Sequence, residues 1–488
     1  MHTYALILNY SRYILRKRFM ENDIVSKKTL AFSLYVALIE LYLNVLASID
    51  GRGHHFLTLL QEKRLRRLLS HAQRSPWWNA HFKKHSVVIK DIKNIDDLTK
   101  LPIVTRAELA NIPPRELFTK KIRNASLEWG QSSGSTTGTP LVWAFEKSLL
   151  RLDIVAFFLK QFQNHGFSFK EHSQKKFFVD LNPIDTKKDA FRFFRGGEFY
   201  VNKNDPNIHE KVGQISKKIE ELGGCVLNTA PNELFFFVEK LQELNLHPPI
   251  LFCRIGGLPL TEENARKKTE TYLTCPAKEA YGAKELGCLG SECEKHRGLF
   301  HLYAGRVIAE TVDDNGKRIP DGETGRILIT CLDNTVMPLV RYEIGDRGAL
   351  FTKKVCPCNN ASPLIKIEGR ISDLLELKNG SRHSPKLIYK LLTQEPLLSH
   401  IKKIQVRQEK IDHVVILLET TPFVLEEVGQ KVRKKIERAY NQSFSVSLRC
   451  LEETRKEGAK FCQFMPLAKF QILEKGSENN PMMHQTTE

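Results

Sequence analysis

Between residues 176 and 255 the chain alternates two hydrophobic rhythms. Short runs rich in aromatic and β-branched residues, at 176–180, 225–227 and 250–255, read as strands. Between them, residues 208–222 and 233–244 place apolar side chains every three or four positions, the spacing of a helix with one buried face. Strands and helices in this order imply βαβ units, with parallel strands and helices on both faces. Upstream, residues 61–82 read as one basic amphipathic helix, and 94–112 as a loop with a short helical entry. Residues 141–145 read as a strand. Residues 146–164 read as a helix, with apolar positions at Leu149, Leu152, Ile154, Val155 and Phe158. From 306 to 370 the rhythm shortens to strands at 307–312, 325–330 and 348–352, with Asp314-Asn315-Gly316 as a hairpin turn. Beyond Arg370, helices at 385–393 and 425–440 surround strands at 404–408 and 414–418. The pattern predicts an α/β protein: a large multi-layer N-terminal domain with parallel sheets and a small β-rich subdomain, then a small α/β C-terminal domain. The expected divisions are a helical extension over 1–60, the large domain over 61–370, the small one over 371–474, and a polar, disordered tail over 475–488.

Composition narrows the function. At 488 residues, 41% hydrophobic and 27% charged, the chain can bury a core in each domain. Lys and Arg outnumber Asp and Glu by 74 to 56, a net charge of +18 that favours anionic partners. No helix-turn-helix, zinc-finger or RNA-binding signature accompanies that charge, so nucleic acid is not an expected partner. Ten cysteines in a chain of this length do not make a small disulfide scaffold, and no signal peptide is visible. A cytoplasmic protein is expected. Residues 30–47 are largely apolar and follow the basic stretches Arg16-Lys17-Arg18 and Lys27-Lys28, but Glu40 and Asn44 interrupt the run. A helix packed on the main domain fits this stretch, and so does peripheral membrane contact through residues 16–48. A full membrane span fits less well.

The chemistry begins at Gln131-Ser132-Ser133-Gly134-Ser135-Thr136-Thr137-Gly138-Thr139-Pro140. Glycines free the backbone to approach a ligand, and the hydroxyls with the loop amides make a donor-rich cradle for phosphate oxygens. A Walker-type loop would place Lys-Ser or Lys-Thr after the second glycine, and Thr139-Pro140 stands there instead. Gly256-Gly257 and Tyr281-Gly282 fall at predicted strand ends, where ligands bind in α/β sheets. Further on come Tyr281-Gly282-Ala283-Lys284-Glu285, Arg341-Tyr342-Glu343-Ile344-Gly345-Asp346, Gly369-Arg370-Ile371-Ser372-Asp373 and Gly458-Ala459-Lys460-Phe461.

In order and spacing these five elements resemble the adenylate-forming superfamily of acyl-CoA synthetases. Residues 97–105 and Met337-Pro338-Leu339-Val340 ahead of Arg341-Tyr342 add a likeness to its phenylacetate–CoA ligase and capsule-biosynthesis branch. The resemblance runs from about residue 64 to 470. It implies ATP, Mg²⁺ and a carboxylic acid as substrates and cofactor, an acyl-adenylate as intermediate, and coenzyme A as acyl acceptor. An amine or hydroxyl acceptor is the alternative, and a non-catalytic nucleotide-binding relative is another. It further implies that the small domain is mobile and that ATP lies between the two domains.

Residue by residue, the resemblance implies that Ser133, Gly134, Ser135, Thr136, Thr137 and Gly138 hold the β- and γ-phosphates. Gly256 and Gly257 line the nucleotide. Tyr281 with Gly282 lies near the adenine, and Glu285 binds Mg²⁺. Asp346 accepts the ribose hydroxyls, Arg370 contacts ribose or phosphate, and the backbone near Ser372 is the hinge. Lys460 is the catalytic lysine. Three departures stand out. The phosphate loop is one residue longer than the family pattern, Lys284 replaces a Thr or Ser that donates to the α-phosphate, and Ser372 replaces an Asp or Lys. As a free ammonium, Lys284 can instead neutralise the phosphate as a point charge.

Cysteines supply a separate candidate. Cys356-Pro357-Cys358 and Cys293-x₇-His301 are two pairs of soft donors able to complete a tetrahedral Zn²⁺ site, with His296 as an alternative fourth ligand. From the residues alone, free thiols are the competing reading. The resemblance extends to relatives with such a Cys/His site. Cys225, Cys253, Cys275 and Cys288 read as small buried hydrophobes.

Overall fold

The computed structural model describes residues 53–119, 127–131, 141–146, 178–182, 195–200, 205–221, 223–256, 263–352, 356–358, 360–371, 374–383, 385–398, 404–451, 464–465 and 467. The expected membrane-contact stretch, residues 147–164 of the expected helix and the tail lie outside these residues, while Glu146 ends a strand. Among the described residues, no helix is long and apolar enough to cross a membrane.

Two helices open the described chain, α1 (Gly53–Ala72) and α2 (Pro76–Lys84). The sequence reading made 61–82 continuous, and the structure breaks it at Ser75-Pro76. Proline at the first helical position starts a new helix, and the Ser75 hydroxyl caps it by accepting from Trp78 N at 3.3 Å. Leu65, Leu68, Leu69 and Ala72, three and four apart, are fully buried. The helices are tied on by side-chain bonds to distant carbonyls, Gln61 to Val307 O at 2.9 Å and Trp78 Nε1 to Pro338 O at 3.0 Å. After them come β1 (Val104–Thr105), α3 (Arg106–Ala110), α4 (Pro114–Leu117) and the antiparallel pair β2 (Leu127–Gln131) and β3 (Val142–Glu146).

The chain divides into two compact units. The second takes Thr324–Arg326, Gly345–Gly348 and everything from Ile367 onward; the first takes the rest. In the first unit, β4 (Phe178–Asn182), β5 (Arg195–Tyr200), β6 (Cys225–Thr229), β7 (Ile250–Ile255) and β8 (Ala277–Ala283) run parallel in the order β5-β4-β6-β7-β8. Connecting helices α5 (Ile208–Glu221), α6 (Pro231–Glu243) and α7 (Glu263–Leu273) lie between consecutive strands in the chain, as βαβ units require. Ile215, Ile219, Phe237 and Leu241 from the helices pack with Leu227, Cys253 and Ile255 from the strands, each 1% exposed or less.

From β8 the sheet turns antiparallel through β9 (Gly287–Glu292), β10 (Leu299–Leu302) and β14 (Leu364–Arg370), a mixed sheet where the sequence pattern predicted parallel strands. Strands β11 (Val307–Val312), β12 (Thr324–Cys331) and β13 (Tyr342–Phe351) complete the β-rich part. The hairpin turn after β11 is present. Gly316 takes φ 81°, a conformation open to glycine, and Val312 bridges Arg318.

The second unit carries the short pair β15 (Leu375–Glu376) and β16 (Arg382–His383), α8 (Lys386–Thr393) and α9 (Pro422–Ala439). Its sheet has the order β19-β18-β17-β20, from β17 (Ile404–Lys410), β18 (His413–Leu418), β19 (Ser445–Cys450) and β20 (Phe464–Met465). Ile388 and Leu392 of α8, Val432 and Ile436 of α9, and Val406, Val414 and Ile416 of the sheet form its core.

Candidate functional site

Strand β8 delivers Tyr281 and Gly282 to a tight turn, Lys284 to Leu286, that reverses the chain into β9. Gly282 has a steric reason: a Cβ there would lie 2.5 Å from the Gly287 carbonyl oxygen on the facing strand. Tyr281 is 8% exposed and its ring meets Phe300 at 5.9 Å. In the turn, Lys284 points to solvent while Glu285 is only 4% exposed. A buried carboxylate needs a partner. The hydroxyl of Tyr342 supplies one, donating to Glu285 Oε1 at 2.8 Å. Gly256 ends β7, its backbone N–H donating to Thr229 O at 3.0 Å, with open space where a side chain would project. Gly257 lies outside the described residues, as do Ser133, Gly134, Ser135, Thr136, Thr137, Gly138, Ser372 and Lys460.

Asp346 belongs to the second unit. It sits within β13, 5% exposed, where Gly345 at φ 86° bends the backbone. Arg370 Nε pairs with its Oδ1 at 2.9 Å. Arg341 pairs with a local carboxylate: its Nε donates to Glu310 Oε2 at 3.1 Å, with both groups buried.

The second cluster is complete. Cys293 follows β9, His301 lies in β10, and Cys356 and Cys358 occupy the turn before β14. Their ligand atoms all lie within 4.8 Å of one another. Cys293 Sγ is 3.4 Å from Cys356 Sγ, and His301 Nε2 is 3.0 Å from Cys358 Sγ. Tetrahedral zinc–thiolate bonds of ~2.3 Å put neighbouring ligands about 3.8 Å apart, so the four donors need only small shifts to close on an ion. His301 Nδ1 lies 3.0 Å from the Ser362 carbonyl, the second contact that fixes a ligating imidazole with Nε2 toward metal. His296, the alternative fourth ligand, is not among the four.

Burial raises the Cys293 thiol above its usual range, and Cys356 beside it raises it further. Cys358 is pushed up to about 12, first by burial and then by its two cysteine neighbours. A divalent cation reverses that balance by binding the thiolates. The loop carrying Cys293 is braced from behind. Arg266 forms a two-pronged pair with the buried Glu292, at 3.0 and 2.6 Å, and Glu292 also accepts from Gly298 N at 2.9 Å.

No protein-family model matches the chain. Phenylacetate-coenzyme A ligase of Thermus thermophilus is 23% identical over 452 residues, covering 85% of this chain and 97% of that enzyme. The Escherichia coli K12 protein of the same name is 23% identical over 442 residues, covering 86% and 96%. Among solved structures, 2-hydroxyisobutyryl-CoA ligase with 2-HIB-AMP in the postadenylation state aligns with a TM-score of 0.63 at 15% identity, over 86% of this chain and 92% of that one. Over most of its length the chain is similar to phenylacetate-coenzyme A ligases, and it shares the fold of 2-hydroxyisobutyryl-CoA ligase.

Two features of the site escaped sequence reading. Tyr342 was quoted only as part of a motif, yet it is the partner of Glu285. Cys288 is not a plain buried hydrophobe: Arg254 Nη2 approaches its sulfur at 3.4 Å while Arg254 Nη1 donates to Asn228 Oδ1 at 2.6 Å. Neither has a local signal, because the partners lie 57, 34 and 26 residues apart.

Proposed function

We propose that the protein uses ATP to activate a carboxylic acid as its acyl-adenylate and then passes the acyl group to coenzyme A. A carboxylate oxygen attacks the α-phosphorus, the bond from that phosphorus to the bridging oxygen breaks, and pyrophosphate leaves. The thiolate of coenzyme A then attacks the acyl carbonyl, the acyl–phosphate bond breaks, and AMP leaves with the bonding pair. The supporting observation is the end-to-end likeness to ligases of this branch, with Glu285 buried in its turn.

The residues take their roles from the motifs in which they stand. The loop over 133–138 cradles the β- and γ-phosphates, Gly256 and Gly257 border the nucleotide, and Tyr281 with Gly282 faces the adenine. Glu285 would hold Mg²⁺, which supplies charge neutralisation to the leaving pyrophosphate. Lys284, exposed beside it, offers a point charge to the phosphates. Asp346 accepts the ribose hydroxyls, held in orientation by Arg370. Lys460 bridges the carboxylate and the α-phosphate. Cys293, His301, Cys356 and Cys358 would hold one structural Zn²⁺, since four donors leave no open position for chemistry.

Acid-dependent ATP–pyrophosphate exchange tests the first half-reaction, with phenylacetate, 2-hydroxyisobutyrate and straight-chain acids compared side by side. Coenzyme A should then accelerate AMP release. Exchange with no acid in the panel would sink the reading; exchange without a coenzyme A effect would move the acceptor to an amine or hydroxyl.

Asp346→Asn gives a sharper test of the ribose role. Loss of charged hydrogen bonds worth ~1.5–3 kcal/mol each should raise the KM for ATP about ten- to hundredfold. The variant should also stop discriminating against 2′-deoxy-ATP. Retained discrimination would place the ribose elsewhere.

A further inference from the structure

We infer that Tyr342 is a positioning residue for adenylation, one that orients the Glu285 carboxylate for its cation. The inference rests on the reading of Glu285 as the Mg²⁺ ligand and adds a residue to which that reading gave no role.

The contact is built with care on both sides. The Tyr342 hydroxyl donates to Glu285 Oε1 at 2.8 Å, with the tyrosine fully buried and the carboxylate 4% exposed. Tyr342 is the first residue of β13, and its backbone is in parallel register with Val104 of β1. Just before it, Arg341 takes φ 44°, a left-handed conformation that a residue with a Cβ rarely adopts. Three bonds hold it there. Its backbone N–H donates to Thr330 Oγ1 at 3.0 Å, its Nε to Glu310 Oε2 at 3.1 Å, and its Nη1 to Leu101 O at 2.5 Å. The unusual backbone at Arg341 therefore sets the direction in which the next side chain enters the core. That direction is toward the turn carrying Glu285.

The consequence is electrostatic. A carboxylate held by a neutral donor on Oε1 has its plane set, so a cation arriving at Oε2 meets a ligand that needs little reorganisation. A neutral hydroxyl does this without neutralising the charge that attracts the metal. A lysine or arginine in its place would compete with Mg²⁺ for the carboxylate. A bond that merely satisfied two buried polar groups would affect stability and leave metal response alone.

Magnesium titrations of acid-dependent exchange separate these roles, run on the full chain as wild type, Tyr342→Phe and Glu285→Gln, with a melting curve for each preparation. Tyr342→Phe removes one oxygen and keeps the ring. It should raise the half-saturating Mg²⁺ concentration about three- to tenfold, while kcat at saturating Mg²⁺ stays within about twofold of wild type and the KM for the acid is unchanged. Glu285→Gln should shift the magnesium curve further and lower kcat as well. A Tyr342→Phe curve matching wild type while Glu285→Gln shifts it overturns the positioning role alone, as does a lowered melting temperature with no change in the magnesium curve. A wild-type magnesium response in Glu285→Gln overturns the metal-ligand reading beneath it.

Discussion

Lys460→Ala should lower acid-dependent ATP–pyrophosphate exchange by about 10²–10³-fold, the loss seen when one preorganised charge is removed from a developing oxyanion. The attacking carboxylate and the phosphate oxygens repel each other before the bond forms, and the penta-coordinate phosphorus gathers more charge as it does. A compact ammonium between them lowers both barriers, and a methyl group supplies nothing in its place. The effect should fall on kcat with the KM for ATP little changed, because the charge is needed most in the transition state. The second half-reaction provides the control. With chemically prepared acyl-adenylate and coenzyme A, Lys460→Ala should form thioester at near the wild-type rate, since thiol attack at the acyl carbonyl has no pentavalent phosphorus to stabilise. Equal losses in both halves would mean that the substitution damages the fold or the nucleotide site and that Lys460 is not the adenylation lysine.

Cys356→Ser should release the proposed zinc and lower the melting temperature by on the order of 5–10 °C. The four donors join the end of β9, the middle of β10 and the turn before β14. One ion there crosslinks segments up to 65 residues apart, from Cys293 to Cys358. The cluster's surroundings are apolar: Leu364 is buried against Cys293 and Cys356, with Leu299 and Phe351 alongside. Two buried thiols, a half-buried third and a buried imidazole without an ion are a poor core, because their polar atoms lose water and gain only weak sulfur hydrogen bonds. Elemental analysis of the wild-type protein should find close to one zinc per chain, and Cys356→Ser should contain almost none. Wild-type protein free of metal, with a melting temperature insensitive to a strong chelator, would identify the cluster as reduced thiols.

Much of this could be read along the chain because it is local. The helices over 208–221 and 231–243 have a three-to-four rhythm strong enough to place their ends within about two residues. The strand over 250–255 was placed residue for residue, since an apolar run bounded by Pro249 and Gly256 leaves little choice. The donors of the Cys/His cluster were recognisable as two spaced pairs. Misreadings came where one residue interrupts a pattern. Hydrophobic spacing continues from α1 into α2, but Pro76 cannot donate the hydrogen bond that would join them. The strand expected over 348–352 starts at Tyr342 instead, because β13 runs on through Gly345.

Residue type and spacing by themselves determined the α/β character, the succession α5-β6-α6-β7, and which cysteine and histidine donors pair up. Tertiary structure alone decided which distant residues meet. It brought Cys293 and His301 to Cys356 and Cys358 because β10 lies between β9 and β14. It brought Tyr342 to Glu285 through the left-handed turn at Arg341, and it made Glu310 the partner of Arg341. Periodicity records which face of an element is buried, and that face is set by the residues of the element itself. Which other element covers it depends on strand order across the whole sheet, and no local pattern carries that information.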